Sequence, residues 1–265
     1  MTAMQDVCVD LATEGAELAR LVADLSPGQW SAPTPAAGWT VRHQVAHLAL
    51  VGHLVDLGVR DPAAFEAETA PVREDFETGM AARLAEGLAE PVPDLLRRWA
   101  RCRAAAEQAL AATPRREPVP WLAGPLPASV LAAVALMELF AHGQDVHEAL
   151  GVPYVFTDRI GHIAFLGTRT RDLAYRARGL EPPAEPFRFE LTAPSGVSWA
   201  FGPEDAGQRI HGPAADFCLL VTRRRHRDDL ALTAVGAAAD HWLGIAQTYP
   251  GRPGPDRGRI GQYRV

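Results

Sequence analysis

Residues 137–151 read MELFAHGQDVHEALG, and they follow a run, Val119 to Met137, that carries no charged side chain. A helix that is apolar on nearly every side then presents Glu138, His142 and Asp145. Glu138 and His142 are four residues apart, so they lie about one turn apart on a single helix face, with Asp145 a further step along it. Leu131, Val134 and Ala135 occupy that face in the preceding turns, which makes it the expected core face. A lone ionised carboxylate there is costly, so it must be protonated, paired with arginine or bound to a metal.

A second stretch, GWTVRHQVAHLALVGHLVDLG from Gly38 to Gly58, carries a matching feature. Its pattern predicts a helix with Thr40 as N-cap, Val41, Val45, Leu48 and Val55 facing inward, and Gly58 as the stop. His43 and His47 are again four apart, and His47 lies among Val45, Leu48 and Val51. A single core histidine is more often a hydrogen-bonded structural residue than a ligand, and a Glu–His pair on a helix is often a surface pair. Both spacings occur here on strongly apolar helices, and facing helices that each offer imidazole or carboxylate are how bundles build metal sites.

Outward from these two segments the chain reads as further helices separated by breakers. Val7, Leu11, Leu18, Leu21, Val22 and Leu25 form a helical stripe from about Asp6 to Leu25, interrupted by Gly15 and ended by SPGQW. Residues 61–80 are acidic and weakly patterned, hence loop or a short helix. A third long helix is expected from Pro93 to Ala112, with Leu95, Leu96, Trp99, Cys102, Ala106 and Leu110 on one side. After TPRREPVPWLAGPLP, the fourth runs from Ser129 to Leu150 and ends at Gly151. Four such helices read as a four-helix bundle.

A fifth helical segment, TDRIGHIAFLGTRTRDLAYRARG, leads to LEPPAEP, where the character changes. FRFELTAPSGVSWAFG alternates around a turn signal and reads as a hairpin; DFCLLVT reads as a buried strand or short helix, and AAADHWLGIAQTYPG as helix. The expected organisation is a bundle over residues 1–155, a connecting helix and linker over 156–182, and a small α+β domain over 183–265.

Composition narrows the function classes. The chain has 265 residues, 48% of them hydrophobic and 22% charged, which is ordinary for a globular protein. A net charge of −6 provides no global attraction to nucleic acid or to an anionic membrane, and RRRHR at Arg223 to Arg227 reads as a solvated strand end. Every non-histidine basic residue is arginine, which excludes a pyridoxal-phosphate lysine and a Walker A lysine and fits a GC-rich genome. Cys8, Cys102 and Cys218 are widely spaced and read as buried thiols, with neither a disulfide framework nor a cysteine zinc site. MTAMQDVCVDLATEG has acids where a secretory signal is basic, and Pro120, Pro125 and Pro127 interrupt the apolar run. A cytoplasmic protein with no membrane span is expected.

GWTVRHQVAHL and ELFAHGQDVHEALG resemble the two signature segments of the mycothiol-dependent maleylpyruvate isomerase family, within the wider DinB-like superfamily of four-helix-bundle metalloproteins. The likeness covers most of residues 5–155, and the domain order extends it to the C-terminus. It implies an N-terminal DinB-like bundle holding a divalent metal, usually zinc, followed by a sterol-carrier-protein-like α+β domain. Carried over, the metal histidine of the second helix falls on His47, and the Glu and His of the fourth helix on Glu138 and His142. Two imidazoles and one carboxylate leave positions open for water or substrate. Asp145 reads as a residue that orients a ligand or as a solvated one, and His43, His53 and His147 as structural or solvated.

The isomerase-like members also use a C-terminal arginine to hold the substrate's carboxylate; the match falls on Arg224, with Arg223 or Arg225 as alternatives. The segment from Gly212 onward, however, looks more like an actinobacterial subgroup described as metal-binding, with a wyosine-base-formation label on its tail, so maleylpyruvate is not carried over as substrate. The leading expectation is a transferase or isomerase in which the metal activates a low-molecular-weight thiol such as mycothiol for attack on an electrophilic small molecule. A metal-dependent hydrolase and a non-catalytic metal- and small-molecule-binding protein are the alternatives, the last favoured if a fourth protein ligand such as His43 closes the site. Partners are expected to be small molecules, with no nucleic acid, and the protein a monomer or homodimer.

Overall fold

The computed structural model describes residues 7–249 and Gly251. Asp6, where the first helix is expected to begin, the residues before it and the expected end of the C-terminal domain beyond Gly251 lie outside them. The chain divides after Tyr154 into two compact units.

In the first unit, helices α1 (Val7–Val22), α3 (Val41–Arg60), α6 (Val92–Ala112) and α7 (Ala128–Leu150) pack together, α3 against α6 and α7 and α1 against α7 and α6. Their facing sides carry Leu11, Val22, Val45, Ala49, Val55, Leu95, Trp99, Leu131 and Leu136, all buried. Burying each valine or leucine among them contributes roughly 1.5–3 kcal/mol, so the register of α3 against α7 is strongly specified. Gly151 adopts φ +66 at the C-cap of α7, a left-handed conformation that favours glycine and ends the helix where expected.

Several elements differ from the sequence reading. SPGQW contains a single helical turn, α2 (Pro27–Trp30), capped by Ser26. Residues 61–80 belong to two helices, α4 (Pro62–Glu74) and α5 (Phe76–Ala89), which cover α3. They start because Asp61 accepts from the Ala64 N–H and Asp75 from the Thr78 N–H; only Phe65, Thr69 and Val72 of α4 are buried, which is why no stripe announces it. Helix α3 does not stop at Gly58 but runs to Arg60. Gly58 serves packing: a Cβ there would lie 2.9 Å from the Pro120 carbonyl oxygen, next to a two-stranded ribbon of β1 (Pro118–Val119) and β2 (Leu126–Pro127).

The second unit begins with a 3-10 turn (Asp158–Ile160), α8 (Gly161–Arg169) and α9 (Arg171–Arg176), so the fifth helical segment is broken at Thr170. Strands β3 (Phe187–Thr192) and β4 (Ser198–Phe201) form the expected hairpin, β5 (Gln208–Pro213) runs parallel to β3, and β6 (Thr233–Val235) pairs with β5, giving the order β4-β3-β5-β6. DFCLLVT is helical, within α10 (Ala214–Val221) and its cap at Thr222, and α11 (Ala237–Ile245) follows β6. Phe187 and Phe189 meet Trp242, and Phe189 meets Phe217, which seats α10 and α11 on one face of the sheet. The arginine-rich stretch is not a strand end: it follows α10 as a turn with Arg223 at φ 57, and its side chains are half-buried. Cys218 is buried and its thiol pushed up by burial, whereas Cys8 and Cys102 are only half-buried. No helix among the described residues is long and apolar enough to cross a membrane.

A solvent-facing glycine inside a helix would gain about 0.5–1 kcal/mol on replacement by alanine. Gly58→Ala is instead expected to lower the unfolding free energy by about 1–3 kcal/mol, because the added methyl meets the Pro120 carbonyl. Urea denaturation of the two proteins measures the sign directly.

Candidate metal centre

Glu138 and His142 project from neighbouring turns of α7, and His47 projects from α3, which packs on that helix. His47 Nε2 lies 3.2 Å from Glu138 Oε2, and His142 Nε2 lies 3.3 Å from the same oxygen. The two imidazole centroids are 4.2 Å apart, and the three potential ligand atoms fall within 4.8 Å of one another. The side chains are 14%, 21% and 13% exposed for His47, Glu138 and His142, so the cluster is recessed yet reachable.

The donor set fits a divalent cation. Nitrogen and oxygen ligands about 2.0–2.1 Å from a tetrahedral ion are separated from each other by roughly 3.3–3.4 Å, close to the two spacings centred on Glu138. Burial is the largest single influence on Glu138 and pushes its carboxyl up, but the hydrogen bonds and charge of His142 and His47 outweigh it and hold the group well below the usual carboxylate range. Glu138 is therefore in the ionised form that a cation needs.

Behind this cluster lies a residue the sequence reading passed over. Gln44, on α3 and fully buried, places its Oε1 2.5 Å from His142 Nδ1. Its Nε2 donates to Thr34 Oγ1 at 2.8 Å and to Asp145 Oδ2 at 3.4 Å. Asp145 is fully buried, which removes its solvated reading. Trp39 was equally unremarked: its ring stacks on His142 with centroids 5.8 Å apart and lies 5.6 Å from that of His47, so it walls the site. The loop that carries it is pinned by the Thr34 N–H donating to the Trp39 carbonyl and by the bridge between Pro33 and Thr40.

The other histidines are engaged elsewhere. His43 Nδ1 accepts from the Thr40 N–H at the start of α3 and lies 2.8 Å from Thr40 Oγ1; burial, then the Arg42 charge, lowers its pKa. His53 pairs with Glu68, and His147 Nδ1 meets the Val152 carbonyl. Among the described residues the ligand cluster contains His47, Glu138 and His142 alone. Arg224 sits in the second unit just past α10, where its Nη1 donates to the Thr222 carbonyl.

Residues 11–147 match the family described as the mycothiol maleylpyruvate isomerase N-terminal domain, and residues 183–235 match one described as wyosine base formation. Two uncharacterized proteins, from two strains of Mycobacterium tuberculosis, are each 44% identical over 251 residues, covering 94% of this chain and 96% of theirs. Crystal structures of the mycothiol-dependent maleylpyruvate isomerase and of a mutant of that enzyme share the fold, with TM-scores of 0.54 and 0.55 at 16% and 15% identity, over 82% of this chain and 87% of each of theirs.

Trp39 gives the site an optical reporter. Titrating metal-free protein with Co2+ is expected to quench part of the tryptophan emission, because the indole lies beside both imidazoles. The quenched component is expected to be missing in Trp39→Phe and in Glu138→Ala, as read by steady-state fluorescence.

Proposed function

The chain belongs to the mycothiol maleylpyruvate isomerase N-terminal domain family, and from that premise we propose that it is a metal-dependent, thiol-using transferase or isomerase acting on an electrophilic small molecule. His47, Glu138 and His142 are the residues that would hold the ion, and two imidazoles with one carboxylate suit zinc. When bound, the ion supplies Lewis acidity that lowers the pKa of a low-molecular-weight thiol such as mycothiol, making thiolate available at neutral pH. The observation that carries this reading is the convergence of three ligand atoms from two helices, with no fourth His, Cys, Asp or Glu in the cluster among the described residues. His43, the residue best placed in sequence to close the site, is committed to the start of α3.

The roles of the chain's own groups follow. Ionised Glu138 supplies negative charge beside the two imidazoles in a recessed site, charge that would offset part of that of a divalent ion. The Trp39 indole offers an apolar, polarisable wall against which a sulfur or an unsaturated electrophile packs, and it limits water at the reacting centre. Arg224 is our assignment for the group that fixes an acidic part of the substrate through paired hydrogen bonds, with Arg223 and Arg225 as neighbours of the same chemistry. We read the bundle over 1–155 as DinB-like, 156–182 as connector and 183–265 as sterol-carrier-like; the packed α1, α3, α6 and α7 and the four-stranded sheet with helices on one face support this. We read the setting as cytoplasmic, a reducing compartment that suits the thiols of Cys102 and Cys218.

Elemental analysis of purified protein is expected to find one equivalent of a divalent metal per chain, lost in Glu138→Ala. With a panel of small electrophiles, consumption of mycothiol is expected in the metal-loaded wild type and not in that variant. Turnover that proceeds equally without thiol would replace this reading with metal-dependent hydrolysis, and equal metal in both proteins would overturn the ligand assignment.

A further inference from the structure

The hydrogen-bond accounting around Gln44 leaves one consistent arrangement. Thr34 Oγ1 donates its single proton to the Trp39 carbonyl at 3.0 Å, so toward Gln44 it acts as an acceptor. The Asp145 carboxylate, when ionised, is also an acceptor only. Both face the same end of the Gln44 side chain, which must therefore be the NH2 group, and the carbonyl oxygen is turned to His142 Nδ1 at 2.5 Å. A carbonyl accepts only from a protonated nitrogen, so His142 carries its proton on Nδ1. Its Nε2 is then the ring nitrogen that faces Glu138 Oε2 and the candidate ligand cluster.

We infer that Asp145, Gln44 and Thr34 form a positioning relay that fixes the tautomer and ring orientation of His142, and so sets the affinity of the metal centre. Gln44 and Asp145 are 0% exposed, so bulk water does not compete for these bonds. The relay spans both ligand-bearing helices: Gln44 lies one turn before His47 on α3, and Asp145 lies three residues after His142 on α7. The same amide also ties the loop carrying Trp39 to the site through Thr34, so one side chain coordinates ligand, outer carboxylate and wall. Such groups behind a ligating histidine typically change metal affinity about 10–100-fold when removed. The consequence for metal rests on the reading proposed above, whereas the tautomer assignment does not.

The test uses the full chain with 15N-labelled histidine. In metal-free wild type, the imidazole 15N shift of His142 Nδ1 is expected to be that of a protonated nitrogen. Gln44→Leu removes both ends of the relay, and a population unprotonated at Nδ1 is expected to appear, with Zn2+ affinity, from chelator competition, falling about 10–100-fold. Gln44→Glu keeps an acceptor oxygen facing His142 and is expected to restore the Nδ1–H form and most of the affinity. If Gln44→Leu does not fold, the near-isosteric Asp145→Asn gives the same readout, with a mixed tautomer expected. Unchanged shifts and affinity in the folded variant would overturn the relay while leaving the metal centre standing. Loss of the Nδ1–H form in Gln44→Leu, together with a wild type that binds no Zn2+, would uphold the relay and overturn the metal reading.

Discussion

An ionised carboxylate inside a helical bundle is stable only when something positive is held against it. Glu138 sits in a helix whose surroundings are almost wholly apolar, and burial alone drives its carboxyl toward the neutral form. What reverses that drive is the approach of two imidazoles on one oxygen, at 3.2 and 3.3 Å. His142 is supplied by the next turn of the same helix, but His47 comes from α3, so the balance exists only when α3 and α7 pack in one register. The apolar contacts of Val45, Leu48 and Leu131 specify that register, which ties the electrostatics of the centre to the hydrophobic core.

Around this pair of helices the chain adds layers that leave the centre reachable. Helices α4 and α5 cover α3, and Arg42 reaches α5 and its end by donating to the carbonyls of Leu88 and Glu90. The loop before α3 folds back through backbone hydrogen bonds and presents Trp39 over both imidazoles. The second unit builds its own core from Phe187, Phe189, Phe217 and Trp242, independent of the charge problem in the bundle.

The long helices were legible because their buried residues recur at helical spacing, and the ligand cluster was legible because charged residues inside such stripes are exceptional. The positions of His47, Glu138 and His142 were named from that pattern and from family resemblance, and all three are brought together. Gln44 escaped because a neutral amide in an apolar stripe raises no electrostatic alarm; only its partners on α7 and in the preceding loop reveal its role, and these are ten and about a hundred residues away. Trp39 escaped for a similar reason, as an aromatic before an N-cap reads as ordinary packing. Helices α4 and α5 are legible only as loop or a short helix, because capping aspartates start them while little of their surface is buried. DFCLLVT stayed ambiguous because a short apolar run has no period, and its packing beneath the sheet decides for helix.

The proposed function rests on one divalent cation fitting between α3 and α7, against His47, Glu138 and His142. The most direct measurement is an anomalous-difference map from crystals of the protein, recorded on both sides of the zinc absorption edge. The account predicts a single strong peak within bonding distance of His47 Nε2, Glu138 Oε2 and His142 Nε2, with at least one non-protein ligand. Electron density showing the three side chains in direct contact, with no anomalous peak in protein purified and crystallised in the presence of zinc, would contradict it.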